Sequence, residues 1–488
     1  MPGMNTDDRD ETGSWNRYTG FLLLLFVGQA IALSLVRSGT SYDGAEQLLY
    51  TQYLDWGYGR SQPPLYTWML IALHRVFGVG MLAENLLKFG LLFLGFWSVA
   101  EITRRLGFGR AVAAAALAAP FLIVEIGWES QRNYAHTVLT FALTGGLGVA
   151  YLAARETPGA TRHLAIGVMM GLLVLSKYNG ALVIAALVAA DLAVGKPRVF
   201  ARPSSVVAWL AAAVIAIPHL VWVAGNTGHA LVLADNFRAA EGAGLLATAL
   251  KGIGQYLLAT AGLLALLAVA LAVYTIRSPR ASPPPRHAPA VSVIALWGLA
   301  FWLVGLVVTL ATGATVVRMR WLAPVVVMAV PVLVGWAFSR RPGRETWFAL
   351  GGMALGVGLV AGQWYESTRM NARTDYDYRR LAEELAQSGP TDAIVTAEYE
   401  VFANLRLHDH PILAPQMPRV DRGAAEGATA LWFADGRAGD RVEGFARSIG
   451  LCPVQSEPVR EIALHRRHGD AAPRRVSAMA LSAEACGG

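Results

Sequence analysis

The sequence predicts a mainly α-helical, polytopic membrane protein of about eleven transmembrane helices, followed by a small α/β domain. Of the 488 residues, 55% are hydrophobic and 15% are charged, whereas a soluble chain carries about 25% charged residues. Apolar runs of spanning length recur until about residue 364, and the basic residues stand in short clusters between them. The net charge of +7 therefore reflects membrane topology, and nucleic acid is not an expected partner.

The first apolar run extends from Phe21 to Val36 and follows a polar tail of residues 1–18. The run is long enough to remain as a span, so the sequence predicts no cleavable signal peptide. Of the later runs, those at 164–177 and 179–194 are the shortest. The remaining predicted spans are 82–100, 111–126, 133–153, 205–224, 249–275, 290–312, 322–338 and 346–364.

Arginine-rich short loops follow every second span. By the positive-inside rule these loops are cytoplasmic, in a plasma (inner) membrane. The first outer loop, 39–80, and everything after about residue 365 are then extracytoplasmic. The residues that set this topology are Arg104, Arg105, Arg110, Arg155, Arg162, Lys196, Arg198, Arg202, Arg277, Arg280, Arg286, Arg340, Arg341 and Arg344.

Three parts follow from this division: a cytoplasmic tail (1–18), a transmembrane domain (19–364) and an extracytoplasmic α/β domain (365–488). The last part alternates amphipathic helical patterns, such as DYDYRRLAEELAQ (375–387), with strand-like runs, such as AIVTA (393–397). The two cysteines, Cys452 and Cys486, both lie here. In an extracytoplasmic domain they can pair; the alternative is two unpaired thiols.

The segment from Ser41 to Phe77 is unusual because it combines charges with seven Tyr and Trp residues directly after the first span. Each charge at the centre of a bilayer costs about 2.5–3.5 kcal/mol, so four of them would cost about 10 kcal/mol. The segment is therefore predicted to fold as a loop at the membrane surface, with its aromatic rings at headgroup depth and in contact with membrane lipids.

This loop, YDGAEQLLYTQYLDWGY followed by QPPLYTWML, resembles the first outer loop of GT-C glycosyltransferases of the dolichyl-phosphate-mannose protein mannosyltransferase-like superfamily. Bacterial members include the aminoarabinose-lipid A transferase and lipopolysaccharide galacturonosyltransferases. Further similar segments, in order, are WESQRNYAHTVL (128–139), GLLVLSKYNG (171–180), PHLVWVAGN (218–226) and ANLRLH (403–408). The resemblance thus covers nearly the whole chain.

The resemblance implies transfer of a hexosyl or pentosyl unit from a polyprenyl-phosphate donor, with inversion, to a glycolipid, polysaccharide or protein acceptor on the extracytoplasmic face. It makes Asp43 the base for the acceptor hydroxyl, with Glu46 one helical turn later as its partner. The alternative for Asp43 is a helix N-cap. Gly44 stands where relatives carry a second acid, Gln62 where many carry His or Lys, and Asn133 where many carry an acid.

The departing lipid phosphate requires cations or other donors nearby. The candidates are Arg60, Arg132, His136, Lys177 and Arg320. A basic side chain at a helix end can instead contact lipid headgroups, and a histidine can be buried and hydrogen-bonded.

The resemblance also implies a divalent metal at the donor phosphate in many members, with Glu46 and His219 as candidate ligands here. Two other functions stay open: a lipid-linked sugar transporter or flippase, and a non-catalytic assembly partner. A transporter commonly shows repeated halves with interrupted helices, and no long internal repeat is visible in the sequence.

Overall fold

The computed structural model describes residues 6–59, 62–194, 198–227, 244–276, 288–369, 373–387, 392–417, 427–468 and 471–486. The chain forms two compact units that alternate along the sequence. The helical unit contains Met1–Gly28, Ser61–Tyr66 and Lys88–Leu359. The mixed unit contains Gln29–Arg60, Thr67–Leu87 and Val360–Gly488.

The helices follow the predicted apolar runs closely. They are α1 (Thr6–Val36), α2 (Tyr42–Tyr50), α3 (Leu65–Phe77), α4 (Met81–Arg105), α5 (Arg110–Ala118), α6 (Ser130–Arg132), α7 (His136–Glu156), α8 (Ala160–Val174), α9 (Gly180–Val194), α10 (Ser205–Gly225), α11 (Leu245–Thr275), α12 (Ala288–Ala311), α13 (Ala323–Arg340) and α14 (Glu345–Arg369). Helices α1, α4 and α14 each have residues in both units.

The described residues contain eight helices that are long and apolar enough to cross a membrane, or nine if one bent pair counts as a span. The predicted total of about eleven is therefore not confirmed. Helices α8 and α9, expected as spans, have 15 residues each. At 1.5 Å per residue they are about 22 Å long, shorter than the ~30 Å hydrocarbon core.

The predicted span at 111–126 is the bent pair, with an angle of 75° between Arg110–Leu122 and Glu125–Arg132. Pro120 lies in the turn that ends the first part. After the bend the amides of Ile126 and Gly127 both donate to the carbonyl of Ile123, at 2.8 and 2.6 Å. A side chain at Gly127 would overlap the backbone of Phe121, so a glycine is needed where the chain turns back. The π-helical turn Glu125–Glu129 follows.

Arginines of three predicted cytoplasmic loops lie at one end of the helical unit. Arg105 contacts Glu101 at 2.7 Å and Glu156 at 2.6 Å, which joins the end of α4 to the end of α7. Arg202 donates to the carbonyl of Ala154 at 3.4 Å. The loops that share a side in the predicted topology therefore share an end in the structure.

Asp191 in α9 is a fully buried acid that serves structure at this same end. It accepts hydrogen bonds from the Tyr151 hydroxyl (2.6 Å) and from the amides of Val199 (3.1 Å) and Phe200 (2.9 Å). Three donors compensate for the desolvation of one carboxylate. Asp191 thereby fixes the segment that leads into α10.

The mixed unit contains a six-stranded sheet, which confirms the predicted C-terminal α/β domain. Strand β1 pairs in parallel with β2 and β3, and β6 is antiparallel to β3, β4 and β5. The helices beside the sheet are α15 (Tyr378–Ala386), α16 (Tyr399–Phe402) and α17 (Gly439–Ser448). The strands are β1 (Ala393–Val395), β2 (Ile412–Leu413), β3 (Gly427–Phe433), β4 (Cys452–Pro453), β5 (Arg460–Leu464) and β6 (Arg474–Ser482).

The sheet has two cores. One is closed by α17, whose Val442 is fully buried. The other contains the C-terminal residues Leu381 and Phe402 together with Leu48 and Leu49 of α2. Helix α2 of the first loop therefore shares the core of the domain predicted for 365–488.

Cys452 and Cys486 form a disulfide with a Cα–Cα distance of 5.1 Å. It connects β4 to the helical turn Glu484–Cys486 at the end of the described chain. Of the two alternatives for the cysteines, a disulfide or two unpaired thiols, the structure shows the disulfide.

We expect reduction of this disulfide to destabilise the C-terminal domain. Closing a loop of 34 residues restricts the unfolded chain by about 3–4 kcal/mol in the chain-entropy model. Urea unfolding followed by tryptophan fluorescence should show a lower midpoint in dithiothreitol. The Cys486→Ser variant should start at that lower midpoint and not respond to the reductant; a response there would contradict the assignment.

Candidate active site

Helix α2 separates its carboxylates from its apolar residues. Ala45, Leu48 and Leu49 are fully buried, whereas Asp43 and Glu46 are half-buried on the other side of the helix. The helix begins at Tyr42, after Ser41 in an extended conformation (φ −100°, ψ 164°). Asp43 is therefore in the first helical turn and is not the N-cap. Its negative charge still interacts favourably with the helix dipole, but the structure does not show Asp43 as the helix N-cap.

Position 44, where the family resemblance leads one to expect a second acid, has no room for a side chain. A Cβ at this position would overlap the hydroxyl of Thr40 and lie 3.1 Å from its methyl group. Thr40 cannot easily move away, because its amide donates to the Asn404 side chain at 2.7 Å. Any side chain at residue 44 would thus displace the start of the helix that carries Asp43.

In the helical unit, a buried acid lies close to two of the cations that were predicted to bind the phosphate. Glu125 is 3% exposed and accepts a hydrogen bond from the hydroxyl of Tyr134. The guanidinium carbon of Arg320 lies 5.3 Å from the centre of the Tyr134 ring. Arg320 and Lys177 both interact electrostatically with the Glu125 carboxylate. We call these four residues the Glu125 cluster.

Tyr134 stays a hydrogen-bond donor throughout the physiological range. Burial raises the pKa of its phenol well above the ordinary value, and the neighbouring Glu125 carboxylate raises it further. The two cations and the one carboxylate leave the Glu125 cluster with a formal charge of +1, which suits an anionic ligand.

Three connecting segments hold the Glu125 cluster together. Lys177 donates to the Thr137 hydroxyl at 3.1 Å, and Nδ1 of His136 lies 3.1 Å from the carbonyl oxygen of Ser176. The side chain of Asn179 donates to the carbonyl of Trp321 at 3.2 Å. These bonds join the first turn of α7, the α8–α9 turn and the helical turn that precedes α13.

The remaining predicted residues have local partners. Arg132 contacts Glu129 at 3.6 Å. His136 is buried, and because a carbonyl only accepts, its Nδ1 carries the proton. His219 is fully buried and stacks on Tyr178, with ring centres 5.9 Å apart. Both histidines match the buried alternative. Arg60 lies outside the described residues.

A metal site does not emerge among the described residues: no group of three or more His, Cys, Asp or Glu side chains could hold an ion there. Glu46 and His219 therefore do not form part of such a group within this portion of the chain.

An apolar groove of about 440 Å³ runs between α11, α12 and α13. Val325, Met328 and Val332 line it along α13, and Leu264 and Leu299 line the other sides. The lining of α13 starts five residues after Arg320, so the groove leads away from the end of the helix where the Glu125 cluster lies. Such a groove suits a hydrocarbon chain.

The dolichyl-phosphate-mannose-protein mannosyltransferase family model matches residues 61–222. The lipopolysaccharide core galacturonosyltransferase RgtB of Rhizobium johnstonii is 26% identical over 433 residues, 83% of this chain and 85% of that protein. RgtA of the same organism is 28% identical over 423 residues, 82% of each. The crystal structure of ArnT from Cupriavidus metallidurans bound to undecaprenyl phosphate has a TM-score of 0.64 at 14% identity, and covers 96% of this chain and 98% of ArnT.

The spans and the fold define a multi-pass membrane protein with the GT-C fold. The family model, the two galacturonosyltransferases and the ArnT structure together support a GT-C glycosyltransferase similar to the dolichyl-phosphate-mannose protein mannosyltransferases. The resemblance carried by the loop motifs is thereby confirmed.

One residue of the Glu125 cluster, Tyr134, could not be identified from the sequence. Tyr134 carries no local signal, because its role depends on Glu125 and on Arg320 from a distant segment. Glu125 has a signal: it is an acid within an apolar run of spanning length, and such acids are functional candidates. Because Glu125 lies at the end of this run, the sequence is equally compatible with a solvated position at the membrane surface.

We expect Gly44→Ala to destabilise the mixed unit by about 1–3 kcal/mol, as overpacking commonly does. Thr40→Ala removes the hydroxyl and methyl that the new Cβ would meet, so the double variant should recover part of the loss. Thermal unfolding of the four proteins in detergent measures the coupling. Additive effects of the two substitutions would contradict the proposed clash.

Proposed function

We propose that this protein transfers a sugar from a polyprenyl-phosphate donor to an envelope glycolipid on the extracytoplasmic face of the inner membrane, with inversion at the anomeric carbon. The observation that carries the proposal is the Glu125 cluster with a net positive charge beside an apolar groove along α13. The two features match the two ends of a lipid phosphate.

Lys177 and Arg320 are the proposed ligands of the donor phosphate. Arginine offers a bidentate fork to phosphate oxygens, and lysine offers a point charge. The prenyl chain would occupy the groove that starts with Val325. As the sugar–phosphate bond breaks, its electron pair leaves with the polyprenyl phosphate, and both cations stabilise the added charge.

Asp43 is the proposed base. Its carboxylate takes the proton of the acceptor hydroxyl while that oxygen attacks the anomeric carbon from the face opposite the phosphate. One carbon–oxygen bond forms and one breaks, which inverts the centre. A positioned base of this kind supplies about 10²- to 10⁴-fold in rate. Glu46, one turn later on the helix, is the proposed partner that orients Asp43.

The observed disulfide supports the proposed location. Disulfides persist in oxidising compartments and are rare in the cytosol. Cys452 and Cys486 belong to the C-terminal domain, which the positive-inside rule places outside. The arginine-rich end of the helical unit is then the cytoplasmic end.

The acceptor and the sugar are proposed from the named relatives. RgtA and RgtB are lipopolysaccharide core galacturonosyltransferases, so the lipopolysaccharide core is the first acceptor to test and a galacturonosyl unit the first sugar. Another polysaccharide or a protein acceptor would appear as labelled product in a different fraction.

We expect Asp43→Asn to lower kcat by about 10²- to 10⁴-fold with little loss of folded protein, since the amide cannot accept the proton. The assay follows labelled sugar from polyprenyl phosphate into glycolipid. Asp440→Asn is the matched control, because Asp440 is also an acid in the first turn of a helix. Full activity in the Asp43 variant would remove Asp43 from the mechanism.

We expect Lys177→Met and Arg320→Met each to weaken donor binding by about 10- to 150-fold, the equivalent of ~1.5–3 kcal/mol for a charge-assisted hydrogen bond. Glu125→Gln should strengthen donor binding, because no carboxylate then competes for the two cations. Titration of each variant with undecaprenyl phosphate measures the weaker and the stronger binding. Lys251→Met is the control, because Lys251 is an exposed lysine near a helix end. An equal loss of binding in this variant would mean that Lys177 and Arg320 act only through contact with lipid headgroups.

The same labelled assay separates the two alternative functions. A transferase releases free polyprenyl phosphate and a glycosylated product together. A flippase moves the intact donor across a vesicle membrane without cleaving it. An assembly partner gives neither result when purified alone.

A further inference from the structure

Helix α2 is attached to the C-terminal domain at its N-terminal end by Asn404, a fully buried amide in the helical turn after α16. Its oxygen accepts from the Thr40 amide at 2.7 Å, and its nitrogen donates to the Thr40 carbonyl at 3.3 Å and to the Val401 carbonyl at 3.0 Å. One side chain therefore pairs with both backbone groups of Thr40, two residues before the helix begins.

The other end of the helix is attached in the same manner with the roles exchanged. Gln52 of the loop accepts from the Ile412 amide at 2.8 Å and donates to the Ile412 carbonyl at 3.0 Å. Ile412 lies in β2, the last strand on its side of the sheet. The side-chain nitrogen of Gln52 also donates to the Leu49 carbonyl at 3.0 Å, within the last turn of α2.

These two amides add what packing alone does not provide. Leu48 and Leu49 fix which face of α2 is buried, but apolar contacts tolerate sliding. The hydrogen bonds from Asn404 to the backbone of Thr40 and from Gln52 to the backbone of Ile412 fix the position of the helix along its axis. A nine-residue helix is also too short to be stable by itself, so its placement depends on these contacts.

We propose that Asn404 and Gln52 are positioning residues for transfer: as an amide clamp they hold α2, and with it Asp43, at a fixed place on the C-terminal domain. The inference rests on the proposed role of Asp43 as base. A displacement of about 1 Å in a reacting group can cost about a hundredfold in rate, so the amide clamp acts on kcat. Donor binding by Lys177 and Arg320 does not involve it.

The test compares Asn404→Ala and Gln52→Ala with the wild type in full-length protein. Each variant should lower kcat by about ten- to hundredfold and change the donor KM by less than about twofold. Gln52→Glu keeps the acceptor for the Ile412 amide and should recover part of the loss. Hydrogen–deuterium exchange of residues 41–52 should increase in both alanine variants.

Two controls separate positioning from loss of stability. Val442→Ala weakens the core on the other face of the sheet, and Gln387→Ala removes an exposed amide of the same domain. Neither should change kcat or the exchange of residues 41–52. A kcat loss in Val442→Ala equal to that of a clamp variant with the same melting temperature would overturn the proposal.

The exchange measurement does not depend on activity. Unchanged exchange of residues 41–52 in Gln52→Ala, whose side chain is only half-buried, overturns the amide clamp even if Asn404→Ala fails to fold. Increased exchange supports it even if the wild type transfers no sugar, in which case only the proposed function fails. If the Asp43→Asn enzyme is active, the proposed role of Asp43 as base fails. The exchange of residues 41–52 then decides by itself whether the amide clamp holds α2.

Discussion

The burial of one face of α2 in the core of the C-terminal sheet is the constraint on which the mixed unit depends. The loop that contains α2 carries charges that the bilayer excludes, and the helix is too short to hold its own shape. Leu48, Leu49 and Tyr50 are fully buried in that core. Because the apolar face is fixed, Asp43 and Glu46 are fixed on the opposite face. Thr40 and Asn404, which secure the arrangement, are 364 residues apart in sequence.

The Glu125 cluster, the proposed phosphate site, illustrates how such a site can be stable before an anion arrives. Two cations close together in a partly desolvated place would repel each other, and the Glu125 carboxylate offsets part of that cost. Tyr134 satisfies one carboxylate oxygen and provides a ring face for Arg320. An arriving phosphate would replace these compensating contacts by stronger ones, so the acid sets how tightly the site holds its ligand.

Much of this fold is readable from sequence because it depends on local properties. The helix limits follow the apolar runs, and residues of alternate loops meet at one end, as Arg105 and Glu156 do. The bend near Pro120 was not predicted, since hydropathy measures apolar length and not direction. Helices α8 and α9 were predicted as the shortest spans, and they are shorter than a span. Asp43 was selected through the loop motif, and its role stays a prediction. The packing of α2 against the C-terminal domain and the contact of Tyr134 with Arg320 were missed because both join distant segments.

The shared core of α2 and the C-terminal sheet has a consequence for biosynthesis. Helix α2 leaves the ribosome among the first segments, and its partners Leu381, Phe402, Asn404 and Ile412 leave only after the last span. Until these residues are made, the apolar face of α2 has no partner and the helix has no defined place. A chain interrupted before Leu381 would insert its spans and still lack an ordered acidic helix. The order of translation thus delays assembly of this helix until the C-terminal domain is made.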